Sequence, residues 1–287
     1  MSETSPEANS EVGPSEDVTV LPMKVAEVVA LLRSNPVFAS SPTADLQSLA
    51  ADATAIEFAP RARVLGEGDR ATHLHVLVDG VIRVYHDDGQ GRQVTVKHLS
   101  PPSTFSEMEI LTGHCQLESA ESLTRTKLIR IPAAAFGAFL DQEPTATQAM
   151  LRDICRRCCV AARNEHAVFF EVETRLASLF LSYADLFGKE RPMGLRINIK
   201  LTQDDLANGL GVVVRSVSRT LTTWKKKGWI SIRKGWYFVH DREALEKIGR
   251  GLRFNLNYRF QAQEDTRRHL PREVPDAAAR GEWAVHA

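Results

Sequence analysis

Arg215 and Arg219 stand four residues apart in the run VVVRSVSRTLTTWKKKGW, with Ser216 and Ser218 between them. On a helix that spacing puts both guanidinium groups on one face. A guanidinium fork donates to guanine O6 and N7, so such a face suits reading base edges in a DNA major groove. Val213 and Val214 precede the arginines as apolar groups able to meet thymine methyls. The base-reading candidates are therefore Val213, Val214, Arg215, Ser216 and Arg219. Thr202, Ser218, Thr223, Lys225, Lys226, Lys227, Arg233 and Lys234 are candidates for the phosphate contacts that fix register without reading sequence. From Leu206 to His240 there are seven Lys or Arg and no Asp or Glu, in a chain that balances 36 basic against 36 acidic residues. That local excess is the electrostatic footprint of nucleic-acid binding. The competing reading is a helical hairpin with a solvated basic face.

The elements that would position these residues are legible around them. Thr202 with Asp205 three residues on is a capping box that opens a first helix. Leu206, Leu210, Val212 and Val217 are apolar at the spacings two crossing helices need. Ala207 is small at the crossing, and Gly211 stands where the turn needs positive φ. The second, recognition helix runs from about Val213 to Trp224. Trp229 to Val239 then supplies two short strands around Lys234-Gly235, a wing.

The 287 residues suggest two domains with tails, and a 43% apolar share is ample for packed cores. No apolar run reaches the roughly 18 residues of a membrane span. The start, MSETSPEANSEVGPSEDV, lacks the basic and apolar segments of a signal peptide. Four cysteines in this length do not make a disulfide framework, so a cytoplasmic chain with reduced thiols is expected.

Along the chain, residues 1–20 read as a disordered acidic tail. Lys24 to Leu32 and Ala44 to Ala53 read as helices, the second with Thr43 as N-cap. From Ala55 to Pro132, short β-branched runs are split by turns at Gly66–Asp69, Asp79-Gly80, Asp87–Gly89 and Pro101-Pro102. That pattern argues for a small antiparallel roll. Thr147 to Val168 reads as a helix with a coiled-coil-like seam of Leu151, Ile154, Cys158, Ala161, Glu165 and Val168, which would bury Leu151, Ile154 and Val168 against a partner. A further helix is expected at about Glu171 to Leu186, and another from Asp241 to Ile248. The domains expected are a tail at 1–20, a sensor at 21–143, a dimerisation helix at 144–169, a DNA-binding unit at 170–255 and a tail at 256–287. The fold class is α+β: an N-terminal antiparallel β-roll (jelly roll), a long dimerisation helix and a C-terminal winged helix-turn-helix.

Over roughly residues 25–250 this order resembles the Crp/Fnr family of bacterial transcription regulators. The segments that carry it are NPVFASSPTADLQSLA, VLGEGDRATHLHVLVDGVIRVY, TFSEMEIL, RLASLFL and, most specifically, LTQDDLANGLGVVVRSVSRTL. The resemblance implies a cyclic-nucleotide-binding-like roll, a parallel homodimer through the seam helix, and paired recognition helices on a two-fold symmetric operator in double-stranded DNA. RNA polymerase is a further partner it implies.

The effector pocket departs from the family pattern. Cyclic-nucleotide-binding members carry a Gly-Glu-[Leu/Met] turn, followed about ten residues on by Arg-Ser or Arg-Thr. Glycine admits backbone N–H groups to the phosphate, glutamate holds the ribose and arginine neutralises the phosphate. Here the turn is Ser106-Glu107-Met108, Pro101-Pro102 replaces the usual Pro-Gly, and Glu118-Ser119 stands where Arg-Ser would be. Only Glu107 keeps the ribose-binding position. Glu109, Glu118 and Glu121 would repel a phosphate. The recognition helix departs too: the family's Arg-Glu-x-x-x-Arg is Val214-Arg215-x-x-x-Arg219 here, so a different half-site is expected.

Cys155, Cys158 and Cys159 lie one helical turn apart in DICRRCCV, near Arg152, Arg156, Arg157 and Arg163. They are a possible thiol switch, or simply small apolar seam residues. His114-Cys115 could ligate haem, but no cofactor or metal is expected. No Ser/His/Asp arrangement or phosphate-binding loop with lysine points to catalysis. The reading is a homodimeric, sequence-specific DNA-binding regulator that does not use cAMP in the usual way. A thiol- or metal-dependent redox regulator and a cyclic-nucleotide-binding signalling module are the alternatives.

Overall fold

The computed structural model describes residues 17–87, 93–165 and 169–249. The chain enters through strand β1 (Val18–Leu21), helices α1 (Val25–Arg33) and α2 (Thr43–Ala51), and strands β2 (Thr54–Phe58), β3 (Arg63–Leu65), β4 (His73–Asp79), β5 (Ile82–Asp87), β6 (Gln93–Leu99) and β7 (Ser103–Phe105). A short helix α3 (Glu107–Thr112), strands β8 (Ser119–Ser122) and β9 (Thr126–Pro132) and helix α4 (Ala133–Gln142) complete the roll. The strands form two antiparallel sheets, β1-β2-β9-β4-β7 and β3-β8-β5-β6.

Alternation of side chains along the strands builds two cores from one sheet. Ile56, Phe58, Leu77 and Leu128 point between the sheets and meet Val64, Ile82, Val84 and Leu99. Their neighbours Ala55, Val76, Ile129 and Ile131 point outward and are covered by α1, α2 and α4 through Leu32, Leu46, Phe136 and Phe139. Burying such side chains contributes roughly 1.5–3 kcal/mol each, which makes the roll a unit of its own.

Helix α5 (Pro144–Glu165) leaves the roll, and α6 (Val172–Phe187) begins the second unit. The hairpin β10 (Gly188–Arg191) and β11 (Gly194–Ile197) follows, then α7 (Gln203–Leu210), α8 (Val214–Lys226), β12 (Ile230–Arg233), β13 (Trp236–Val239) and α9 (Arg242–Gly249). These pack on a core of Leu176, Phe180, Leu206, Val217, Leu221, Trp224 and Leu245.

The structure departs from the sequence expectations in four places. The N-terminal segment joins the sheet sooner than a tail to residue 20 would: Val18 to Leu21 pair with β2. Thr43 is not the cap of α2 but its first residue, preceded by Pro42. Its hydroxyl accepts instead from Arg33 at 2.6 Å. The hairpin β10–β11 and helix α4 were not expected. The hairpin extends the wing into a four-stranded sheet, β10-β11-β13-β12.

The seam is also divided. Ala146 and Met150 are buried in the roll's core, and Ile154 packs partly against it. Leu151, 61% exposed, stays outside, as do Cys155, Cys158 and Cys159. Ile154 therefore serves the chain's own roll, while Leu151, Cys155 and Cys158 form the outward stripe. Val168 lies outside the described residues.

Candidate DNA-reading surface and effector pocket

Helix α7 starts at the expected capping box. The Asp205 N–H donates to the Thr202 hydroxyl at 3.0 Å, and the Thr202 N–H donates back to the Asp205 carboxylate at 2.7 Å. Gly211 closes the helix in the left-handed region, φ 61°. A side chain there would be strained, so the turn into α8 depends on glycine. Val217, Leu221 and Trp224 bury one face of α8. The Trp224 indole N–H donates to Glu173 at 3.0 Å, anchoring α8 to α6. Arg175 of α6 donates to the Leu210 carbonyl and holds the end of α7.

The opposite face of α8 is open. Arg215 and Arg219 are both exposed, and among the described residues no acidic side chain pairs with either. Val213, 70% exposed, is the N-cap rather than a helix residue, and it brings no side-chain cap. Val214 turns partly into the core. Ser216 and Ser218 are half-buried, with their backbone carbonyls accepting from Thr220 and Thr222. Lys225 and Lys226 close the helix and Lys227 caps it, its ammonium 4.3 Å from the Trp229 ring. Thr202 is exposed but its hydroxyl already serves the cap. The Thr223 hydroxyl donates to Arg219's carbonyl at 3.2 Å. Arg233 and Lys234 stand exposed at the wing turn, where Lys234 and Gly235 both take positive φ. Arg215, Arg219, Lys225 and Lys226 of α8, Lys227 at its cap, and Arg233 and Lys234 of the wing are thus all exposed on a buried scaffold.

The pocket is lined from β3, β5, β6, β7, β8, α3 and α5. Ser106 adopts φ 72° where a glycine would be unstrained. A serine in the left-handed region costs about 1–2 kcal/mol. Its buried hydroxyl accepts from the Gln116 amide at 3.0 Å and lies 3.2 Å from His75 Nδ1, which offsets that strain. His75 stacks on Phe105. Burial, and then the nearby Arg130 charge, push its pKa down to about 3, so it is neutral. Met108 joins the lining.

Two cations that sequence reasoning did not place in the pocket prove central to it. Arg157 of α5 pairs with Glu107, whose residue is 1% exposed, and with Asp153 at 3.1 Å. Lys97 of β6 pairs with Glu118 at 2.5 Å. Each cation is thus already matched to a carboxylate. Arg125, just before β9, pairs with Glu57 at 2.6 Å. Ser119 is turned to accept from the Glu67 N–H at 3.0 Å. The free space in the pocket, about 20 Å³, takes one or two waters. No spacing rule brings Arg157 or Lys97 to this point, because both arrive from elements distant in sequence.

Cys155, Cys158 and Cys159 are exposed free thiols on α5, and Cys115 is exposed on the roll. Among the described residues no group of three or more His, Cys, Asp or Glu side chains is placed to hold a metal ion, and no helix is long and apolar enough to cross a membrane.

Comparison with known proteins matches the two units separately. Residues 55–143 match the cyclic nucleotide-binding domain, and residues 174–248 match the Crp-like helix-turn-helix domain. The CRP-like cAMP-activated global transcriptional regulator of Mycobacterium tuberculosis is 24% identical over 68% of this chain and 88% of its own length. The nitrogen fixation regulation protein FixK of Azorhizobium caulinodans is 26% identical over 70% and 82%. Among solved structures, a CRP-family transcriptional regulator from Thermus thermophilus superposes with a TM-score of 0.61 at 23% identity, covering 68% of this chain and 96% of that one. The c-di-GMP responsive global regulator CLP of Xanthomonas campestris gives 0.60 at 15% identity over 69% and 99%. With a nucleotide-binding-type roll, a winged helix-turn-helix and these relatives, the chain belongs to the Crp/Fnr family of DNA-binding transcription regulators.

Proposed function

We propose that the protein is a cytoplasmic homodimer that reads a two-fold symmetric operator with paired α8 helices, and that cAMP does not switch it in the family's usual way. The observation that carries the first part is the exposed Arg215–Arg219 face on a scaffold held by Trp224 and Gly211. Dimerisation through the outward stripe of α5 would set the two helices one DNA turn apart, about 34 Å. RNA polymerase is a further partner for a protein of this class.

The second part rests on the Lys97–Glu118 and Arg157–Glu107 pairs. A phosphate entering here would meet Glu118 where the family pattern has arginine, and would have to break an existing ion pair to gain a cation. Losing a charge-assisted bond and gaining repulsion in a partly buried site amounts to several kcal/mol. Similar proteins carry different effectors in their names, cAMP in one and c-di-GMP in another, so the fold alone does not fix the ligand. Titration calorimetry with cAMP and with cGMP is expected to show dissociation constants in the millimolar range or weaker. A micromolar constant would overturn this part of the proposal.

The exposed thiols of α5 support a second reading, a thiol-dependent regulator. In it a peroxide oxidises two thiols to a disulfide and is reduced to water. Operator binding that is unchanged between reduced and peroxide-treated protein would remove that reading.

A further inference from the structure

The helix-turn-helix unit is docked on the back of the sheet that forms one wall of the pocket. The register of β8, β5 and β6 sets two adjacent rows of side chains across that sheet. Ala120, Val84 and Lys97 form one row, and all three line the pocket. Glu121, Arg83 and His98 form the next row, one residue along, so they point to the opposite face.

That second row meets the DNA-binding unit. Arg83, its side chain 4% exposed, reaches Glu121 at 3.1 Å and Asp205 at 3.7 Å. Arg61 bridges the same two carboxylates, both at 3.1 Å. His98 packs edge-on against Tyr183 of α6, ring centroids 5.3 Å apart. Val81 and Leu123 of the roll are buried in the core of the helix-turn-helix unit itself. Asp205 is the capping-box residue of α7, so one carboxylate both starts the first helix of the motif and fastens it to the roll. Burial works against its charge, but hydrogen bonds from Arg61 and Thr202 outweigh that and hold the carboxyl below its ordinary range. In this docked arrangement Arg215 and Arg219 remain exposed.

We propose that the Glu121–Arg83–His98 row, closed by Arg61 on Asp205, is an ionic latch that holds the helix-turn-helix unit in its DNA-reading position. The latch lies one sheet thickness from the pocket, so a change at Lys97 or Val84 on one face shifts Arg83 and His98 on the other. The inference rests on the DNA-regulator reading for its consequence, though not for its geometry.

The test uses the full chain with Asp205→Asn, Arg83→Met and Lys97→Met. Asp205→Asn keeps an acceptor for the Thr202 N–H, so α7 keeps its cap, and it decides the matter should Arg83→Met fail to fold. Small-angle X-ray scattering is expected to show a larger radius of gyration for Asp205→Asn and Arg83→Met, with faster amide exchange in α7. Lys97→Met is expected to speed exchange in α7 without touching it. A loosened unit no longer presents two helices at a fixed spacing, so affinity for a duplex selected by the wild-type protein should fall roughly tenfold in both latch variants. Unchanged scattering and exchange in the folded latch variants, or unchanged or tighter operator binding, would overturn the latch. Unchanged α7 exchange in Lys97→Met would overturn its link to the pocket. If the wild-type protein selects no duplex, the regulator reading fails, while scattering and exchange still decide the latch.

Discussion

Leu151→Glu is expected to convert the protein to a monomer and to cut operator affinity by about 10²–10⁴-fold. Leu151 is 61% exposed, and it heads an outward stripe that continues through Cys155 and Cys158. Against a second copy, a leucine there would contribute roughly 1.5–3 kcal/mol per side chain. A glutamate would bring two unpaired carboxylates into the same seam. Loss of the dimer removes the intramolecular advantage of the second half-site, which is why the effect on operator binding exceeds that on any single contact. Sedimentation or light scattering checks the first outcome and operator titration the second. Ile154 would be the wrong residue for this experiment, since it packs partly into the roll and its substitution would disturb folding. A Leu151→Glu protein that remains a dimer would move the interface to another surface.

Arg219→Ala is expected to weaken binding to the operator by about 1–3 kcal/mol while leaving binding to scrambled duplex less affected. The side chain is exposed and has no acidic partner among the described residues, so its removal costs the fold little. Lys226→Ala provides the contrast. A phosphate contact is shared by all sequences, so both duplexes should lose equally and the salt slope should fall by about one. Equal losses on both duplexes for Arg219→Ala would remove it from base reading.

The DNA-reading motif was legible because its determinants are local. Thr202 and Asp205 are three residues apart and make the bonds their types allow; Gly211 occupies the left-handed turn, and the apolar spacing of Val217 to Trp224 buries a helix face. The pocket was legible only in part. Ser106, Glu107 and Glu118 could be set against the family pattern, but their partners Gln116, Arg157 and Lys97 come from a loop, a helix and a strand whose meeting depends on the closed roll. The seam was misdivided for a related reason. Period alone groups Leu151 with Ile154, whereas packing turns Ile154 toward Met150 and the roll and leaves Leu151 outside. Thr43 shows the same limit at a cap, where Arg33 from the preceding helix claims its hydroxyl. The latch residues Arg61 and Arg83 carry no sequence signal, since an arginine that binds across the fold, whether exposed like Arg61 or buried like Arg83, is distinguishable from any other only once Glu121 and Asp205 are beside it.

The central proposal is that paired α8 helices read a symmetric DNA site without a cyclic nucleotide. Fluorescence anisotropy with a wild-type-selected symmetric duplex, the same duplex with one half-site scrambled, and a fully scrambled duplex tests it most directly, run in a salt series with no nucleotide present. The symmetric duplex is expected to bind at least about 10³-fold tighter than the scrambled one, with the half-scrambled duplex between them. Equal affinity for all three duplexes, or a preference that emerges only when cAMP is added, would contradict it.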